Sequence, residues 1–387
     1  MPSPYRFALL AASLAIALAG AASAQPAPYT LDVLLPLTGA QAFAGTSEQA
    51  GLKAYEAVVN RTGGIHGRPL DLEIHDDQSN PLVDVQIVNA LLPKKPIAIL
   101  GPAVTATCQA ILPLFENGPV DYCFSPAITP PKGSWVFGSG ATLRAQMIAG
   151  YEHFHQLGYN RLAAIISTDA TGQQNEQITR AAMQLPALRG MDLVDLEQFN
   201  PTDTSVAALV AKVRAANPDL IYAWAIGPAL ATVLRELAND GFNVPVGTTP
   251  ANANIELLTQ MQSFLPKALV TSGLPYQGDV QPPAVQAASS EYLAAIKDAH
   301  LQPSTIQAYA WDPTRIVVSA LRALPANATP ADLHNYIENL HGFGGLFGTY
   351  DMRSGDQHGL DGRDSQLIYW DPNSKEWKYY SARPAKS

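Results

Sequence analysis

The chain has 387 residues, a formal net charge of −9, 47% apolar residues and 15% charged residues. The excess of acids speaks against nucleic acid or an anionic membrane surface as partner, and the apolar content excludes a disordered chain. In chain order, residues 1–24 read as a secretory signal. Arg6 supplies the positive charge, Phe7 to Leu18 is an apolar run too short to span a bilayer, and Ala22-Ser23-Ala24 is an A-x-A site that predicts cleavage at Ala24–Gln25. No Cys follows that site, so no lipid anchor is expected. The remaining 363 of 387 residues suit two domains rather than one core.

Strand and helix patterns then alternate. Strands are predicted over Leu31–Leu35, Leu70–His75, Ile97–Leu100 and Asp121–Ser125. Helices are predicted over Ser47–Asn60 and Asp84–Leu92, and from Thr105 onward. The pattern restarts at Arg161. Strands are predicted over Leu162–Ser167, Asp192–Phe199, Leu220–Ala225, Val244–Val246 and Ala268–Ser272, with helices over Gln173–Met183, Val206–Ala216 and Pro228–Asn239. Three helical stretches follow near 284–299, 307–323 and 330–340, and Leu367–Tyr379 reads as a hairpin around Asp371-Pro372. This is the grammar of doubly wound parallel α/β sheets.

Cys108 and Cys123 are 15 residues apart. An exported chain favours a disulfide between them, and a pair of buried free thiols is the alternative. No nucleophile elbow, P-loop or H-E-x-x-H motif is present, so no enzyme activity and no cofactor are expected. His153 and His155 fall on different faces of a predicted helix, so no metal site is expected there. Asp76-Asp77 reads as a structural surface turn, and the Asp351–Asp364 stretch as a solvated turn rather than a calcium loop.

Three motifs occur in order: Pro36-Leu37-Thr38-Gly39, Gly63-Gly64-Ile65-His66-Gly67-Arg68, and Asp76-Asp77 after the second strand. Together they resemble the periplasmic solute-binding proteins of ABC importers, in the branched-chain amino-acid (leucine/isoleucine/valine) type, a family that includes binders of aromatic acids. The resemblance implies the type I fold: two Rossmann-like lobes joined by a three-stranded hinge, with the ligand in the interlobe cleft. It places lobe 1 at 29–146 plus 276–353 and lobe 2 at 147–275 plus 354–387, with crossings near Gln146, Pro275 and Arg353. It also implies a periplasmic location, a monomer, and an ABC permease and ATPase as partners. A soluble sensor partnering a separate receptor is the alternative.

In that family a Ser/Thr four residues after a strand-ending Gly holds the ligand carboxylate, here Thr105, and an Ala-x-Thr after Ser-Pro adds contacts, here Ala127 and Thr129. A helix-capping role is the alternative for each Thr. Three positions depart from the pattern. Thr249 stands where amino-acid binders carry the acid that pairs with the α-ammonium, and Ile226 and Thr171 stand where tyrosines are usual. A buried ammonium without a counter-charge is costly. The expected ligand is therefore a carboxylate without an α-amino group, best an aromatic monocarboxylate, walled by Phe43, Trp224, Ile226 and Tyr276. An aliphatic acid or amino acid held by a rearranged site is the alternative.

Overall fold

The computed structural model describes residues 26–274, 282–361 and 366–380. The expected leader with its cleavage site, Tyr276 and the crossing near Pro275 lie outside the described residues. Two sheets dominate. The first contains β1 (Tyr29–Leu35), β2 (Leu70–Asp76), β3 (Ala98–Leu100), β4 (Val120–Cys123) and β5 (Val136–Gly138). Its order is β2-β1-β3-β4-β5, parallel throughout. Between these strands run α1 (Ala42–Arg61), α2 (Pro81–Leu91) and α3 (Thr105–Ile111).

After α4 (Leu143–Gln156) the second sheet begins with β6 (Arg161–Ser167), β7 (Asp192–Phe199), β8 (Leu220–Trp224), β9 (Val246–Thr248) and β10 (Leu269–Gly273). Interleaved are α5 (Ala170–Ala182), α6 (Ala207–Ala215), α7 (Pro228–Asn239) and the short α8 (Ile255–Gln260). The chain then returns to the first sheet with α9 (Pro283–Asp298), α10 (Thr305–Ala323), α11 (Pro330–Glu338) and a small hairpin of β11 (His341–Gly344) and β12 (Thr349–Asp351). It ends on the second sheet, where β13 (Gln366–Asp371) pairs antiparallel with β10, and β14 (Glu376–Tyr379) pairs with β13.

Both sheets are covered on both faces, as buried parallel strands require. On one face of the first sheet, Val33 and Tyr122 pack with Leu52 and Tyr55 of α1 and Trp311 of α10. The rings of Tyr55 and Trp311 meet edge to face at 4.9 Å. The other face joins Leu34 and Ile99 to Val88 of α2 and Ile111 of α3. On the second sheet the period-two alternation of a strand is explicit. Tyr222 and Trp224 point toward α4, whereas Ile221 and Ala223 point toward α6 and α7. Helix α4 buries Leu143, Met147, Tyr151 and Phe154 on that second sheet, starting three residues before the crossing expected at Gln146. His358 still serves the first half, where its ring nitrogens meet the Gly140 and Ile128 carbonyls at 3.0 and 2.9 Å.

Two boundaries differ from the sequence expectation for clear reasons. Helix α1 starts at Ala42 rather than Ser47. Gly45 falls within the added turn, where a Cβ would lie 2.3 Å from the Pro36 carbonyl oxygen. Strand β9 runs over Val246–Thr248 rather than Val244–Val246, since Pro245 has no N–H for the ladder and serves as acceptor for Ile221 N at 3.2 Å. The expected surface turn at Asp76-Asp77 is half right, because Asp77 is fully buried. Among the described residues no helix is long and apolar enough to cross a membrane.

Cys108 in α3 is bonded to Cys123 at the end of β4, with Cα atoms 6.1 Å apart. Thiol titration of the denatured, unreduced protein is expected to find no free thiol. Reduction should cost about 3 kcal/mol of stability for a loop of this length. Two titratable thiols in unreduced protein would contradict the bridge.

Candidate functional site

The strand ends of the two sheets meet around a cavity of about 130 Å³. Its first wall is set by the turn after β1. The Asp76 carboxylate accepts hydrogen bonds from Leu37 N, Thr38 N, the Thr38 hydroxyl and Gln78 N at 2.8–3.1 Å. These donors hold its carboxyl below the usual range. The clamped turn launches α1 so that Gln41, Ala44 and Glu48, at helical spacing, face the cavity.

The second wall comes from β3 and β4. Thr105 opens α3 and Ser125 follows β4, both buried, with hydroxyl oxygens 2.9 Å apart. Ser125 Oγ also accepts Ala127 N at 3.2 Å. From the second sheet, Thr171 in the first turn of α5 brings its hydroxyl within 2.7 Å of Thr105 Oγ1. One connected set of three hydroxyls thus spans both sheets. Each carries a rotatable proton that can turn to an acceptor. Neither threonine caps its helix: α3 has Val104 at that position with no side-chain cap, and α5 is capped by Asp169, whose Oδ1 accepts Gly172 N at 2.8 Å.

The third wall is pinned by Asn252. Its Nδ2 donates to the Ala225 carbonyl at 2.8 Å and to Thr248 Oγ1 at 2.9 Å, and its Oδ1 accepts Gly227 N at 3.0 Å. This fixes the turn carrying Ile226, while Thr249 caps the short turn Pro250–Asn252. Phe124, Leu143, Ile306 and Tyr309 close the cavity with apolar surface.

Of the residues singled out from sequence, Thr105, Ala127, Thr171, Ile226 and Thr249 line this cavity. Three others lie elsewhere. Thr129 is exposed, because Ile128 is anchored in the core and its carbonyl is held by His358. Trp224 is buried under α4, stacked on Tyr222 at 4.9 Å, and donates to the Tyr151 hydroxyl at 3.1 Å. Phe43 lies against Gly227, where a Cβ would sit 3.1 Å from its ring, so it joins the two halves beside the cavity. Sequence reasoning missed Glu48, Phe124 and Tyr309. Glu48 had a signal: it is the lone acid on a helix face otherwise built of Gly45, Gly51, Leu52 and Tyr55.

No Lys, Arg or His is among the lining residues, whereas two carboxyls, Glu48 and Asp169, are. Glu48 is pushed well above the usual carboxylate range by burial and by repulsion from Asp77. Behind it runs a row of buried acids. Burial lifts Asp77 to about 6, and burial with repulsion from Asp77 lifts Asp84 to about 8. Asp121 rises through burial and the neighbouring Asp84. Elsewhere, Asp32, Glu73 and His75 bring one ligand atom each within 4.8 Å on β1 and β2, away from the cavity. His153 and His155 each have their own partner, the Tyr380 carbonyl at 2.8 Å and Asn160 Oδ1 at 2.7 Å.

Residues 28–373 match the family described as "Periplasmic binding protein". The chain is 23% identical over 328 residues to Leu/Ile/Val-binding protein homolog 1 of Brucella abortus (strain 2308), covering 83% of this chain and 84% of the relative. Its fold is similar to that of an extracellular ligand-binding receptor from Rhodopseudomonas palustris HaA2, with a TM-score of 0.81 and 20% identity over 92% of this chain and 100% of the other. It is also similar to a fatty acid ABC transporter substrate-binding protein from Thermomonospora curvata, with a TM-score of 0.76 and 19% identity over 92% and 91% of the two chains.

The acid row makes a prediction about pH. A carboxyl whose folded pKa is raised stabilises the fold fully only below its unfolded value, and that stability is lost as pH rises toward the folded one. For Asp84 the window runs from about pH 4 to about pH 8. Asp84→Asn is therefore expected to melt a few degrees above the wild type at pH 8 and to match it at pH 4. A melting advantage confined to pH 4 would reverse this sign.

Proposed function

We propose, from the premise that this chain belongs to the periplasmic binding protein family, that it captures a small organic carboxylate in the periplasm for an ABC importer. The family is one of binding proteins rather than enzymes. The observation that carries the ligand class is the hydroxyl set of Thr105, Ser125 and Thr171, donors gathered at one end of an otherwise largely apolar cavity. A carboxylate accepts several such bonds, and charge-assisted bonds are the strong ones. The compounds in the names of the Leu/Ile/Val-binding protein homolog and of the fatty acid ABC transporter substrate-binding protein each have a carboxylate on an apolar body.

Within that class an aromatic monocarboxylate fits best. Phe124 and Tyr309 offer rings to a flat body, and Thr249 stands where the acid for an α-ammonium is expected, while Asp169 of the second half accepts Gly172 N as the cap of α5. Capture proceeds by closure of the two lobes on each other, a hinge motion around the ligand. The contact of Thr105 with Thr171 supports a closed arrangement. The monomeric closed form is then read by the permease and ATPase. An amino-acid ligand is the second reading, favoured by the two carboxyls in a cavity without a cationic side chain.

Two measurements test this. Thr105→Ala should weaken binding of the physiological acid by roughly ten- to a hundredfold, since a bond to a charged acceptor contributes about 1.5–3 kcal/mol. The melting temperature of the ligand-free protein should change little, because Thr105 caps no helix. Unchanged affinity would move the site off the hydroxyl set. Calorimetry with leucine, isoleucine and valine should detect no binding at micromolar concentration. Sub-micromolar binding of any of them would establish the second reading instead.

A further inference from the structure

Glu48 is 3% exposed, lines the cavity, and its Oε2 has no hydrogen-bond partner among the described residues. Two donor side chains lie along this side of α1, Gln41 and Tyr55, and neither bonds Oε2. A buried carboxyl is stabilised by a cation, by donors, or by keeping its proton. Among the described residues no cationic side chain lines the cavity. Asp77 faces Glu48 from the end of β2, and Asp169 and Tyr309 face the same cavity from α5 and α10. Arg315 and Arg322 of α10 lie farther along α1, beside Tyr55. Protonation is the remaining route, and burial with the Asp77 repulsion drives the carboxyl in that direction.

We propose that Glu48 is a specificity-determining residue: as a neutral acid it donates a hydrogen bond to an acceptor oxygen on the ligand's body, selecting oxygen-substituted acids over unsubstituted ones. A protonated carboxyl has one O–H donor, and a buried donor without an acceptor is costly. A keto, hydroxyl or ether oxygen facing α1 removes that cost, while the carboxylate occupies the hydroxyl set. Hydrocarbon there leaves the donor unmet, and sites built to hydrogen-bond a group reject analogues that lack it. The inference rests on the carboxylate reading above and adds a second recognition point to it.

The test compares wild type, Glu48→Gln and Glu48→Leu. Glutamine keeps a donor without the ability to ionise, and leucine removes it at similar size. In the ligand-free protein at pH 7.5, the infrared difference between wild type and Glu48→Gln should contain the carbonyl stretch of a protonated carboxyl. Its absence overturns the proposal. Calorimetry then uses matched pairs differing by one oxygen: phenylpyruvate with 3-phenylpropanoate, 4-methoxybenzoate with 4-methylbenzoate, and 4-methyl-2-oxopentanoate with 4-methylpentanoate. Wild type should prefer the oxygenated member of at least one pair by roughly tenfold, the worth of a net hydrogen bond near 1.4 kcal/mol. Glu48→Gln should keep that preference, and Glu48→Leu should erase it. Loss in Glu48→Gln equal to that in Glu48→Leu would mean that an ionised carboxylate is what the ligand meets, and the proposal fails. Binding of these acids without discrimination also defeats it while leaving the carboxylate reading intact. Failure of all six acids to bind wild type defeats both.

Discussion

A parallel strand pair places every strand-to-helix turn on one edge of its sheet, and here two such edges face each other. Cavity groups follow from that constraint. Thr105, Ser125 and the α1 face come from ends of the first sheet, whereas Asp169, Thr171, Ile226 and Thr249 come from ends of the second. Each turn is then held by its own polar device. Asp76 gathers the donors of the first turn, and Asn252 gathers the groups of the β8–α7 turn. These devices spend hydrogen-bond capacity on loop geometry, so few polar groups are left to face the cavity: hydroxyls, the Gln41 amide and the carboxyls of Glu48 and Asp169.

The core and the cavity differ in how far their local rules agree. Around the sheets, burial, alternation and helix faces point to one answer. Val33, Leu35 and Leu52 sit among apolar neighbours, and Tyr222 and Ile221 divide cleanly between the two faces of β8. At the cavity the rules are broken. Glu48 interrupts an apolar helix face, and behind the cavity wall Asp77, Asp84 and Asp121 are buried with oxygens unpartnered among the described residues. Departures of this kind concentrate at functional sites, where stability is given up for chemistry.

The fold was legible because strand periodicity and glycine turns are local signals. Asp192–Phe199 and Pro228–Asn239 fall where the pattern placed them. The short β5 and the β11–β12 hairpin were not legible, since strands of three or four residues carry too little periodicity to stand out. For the cavity, the position of a turn could be read but not the direction of each side chain. Ile226 and Trp224 are two residues apart, yet one reaches the cavity and the other is under α4. Phe124 and Tyr309 carry no motif; their roles depend on how β4 and α10 meet in three dimensions. Glu48 was visible as a lone acid, but a sequence does not say whether such a residue meets solvent, a cation or a void.

The bond between Cys108 and Cys123 has a consequence beyond stability. Thr105 precedes one cysteine by three residues and Ser125 follows the other by two, so a single covalent link fixes the spacing of two hydroxyls 2.9 Å apart. Oxidation of the two thiols thus ties together the segments that bring these hydroxyls to the cavity, and a chain with free thiols holds the same atoms on two untied segments.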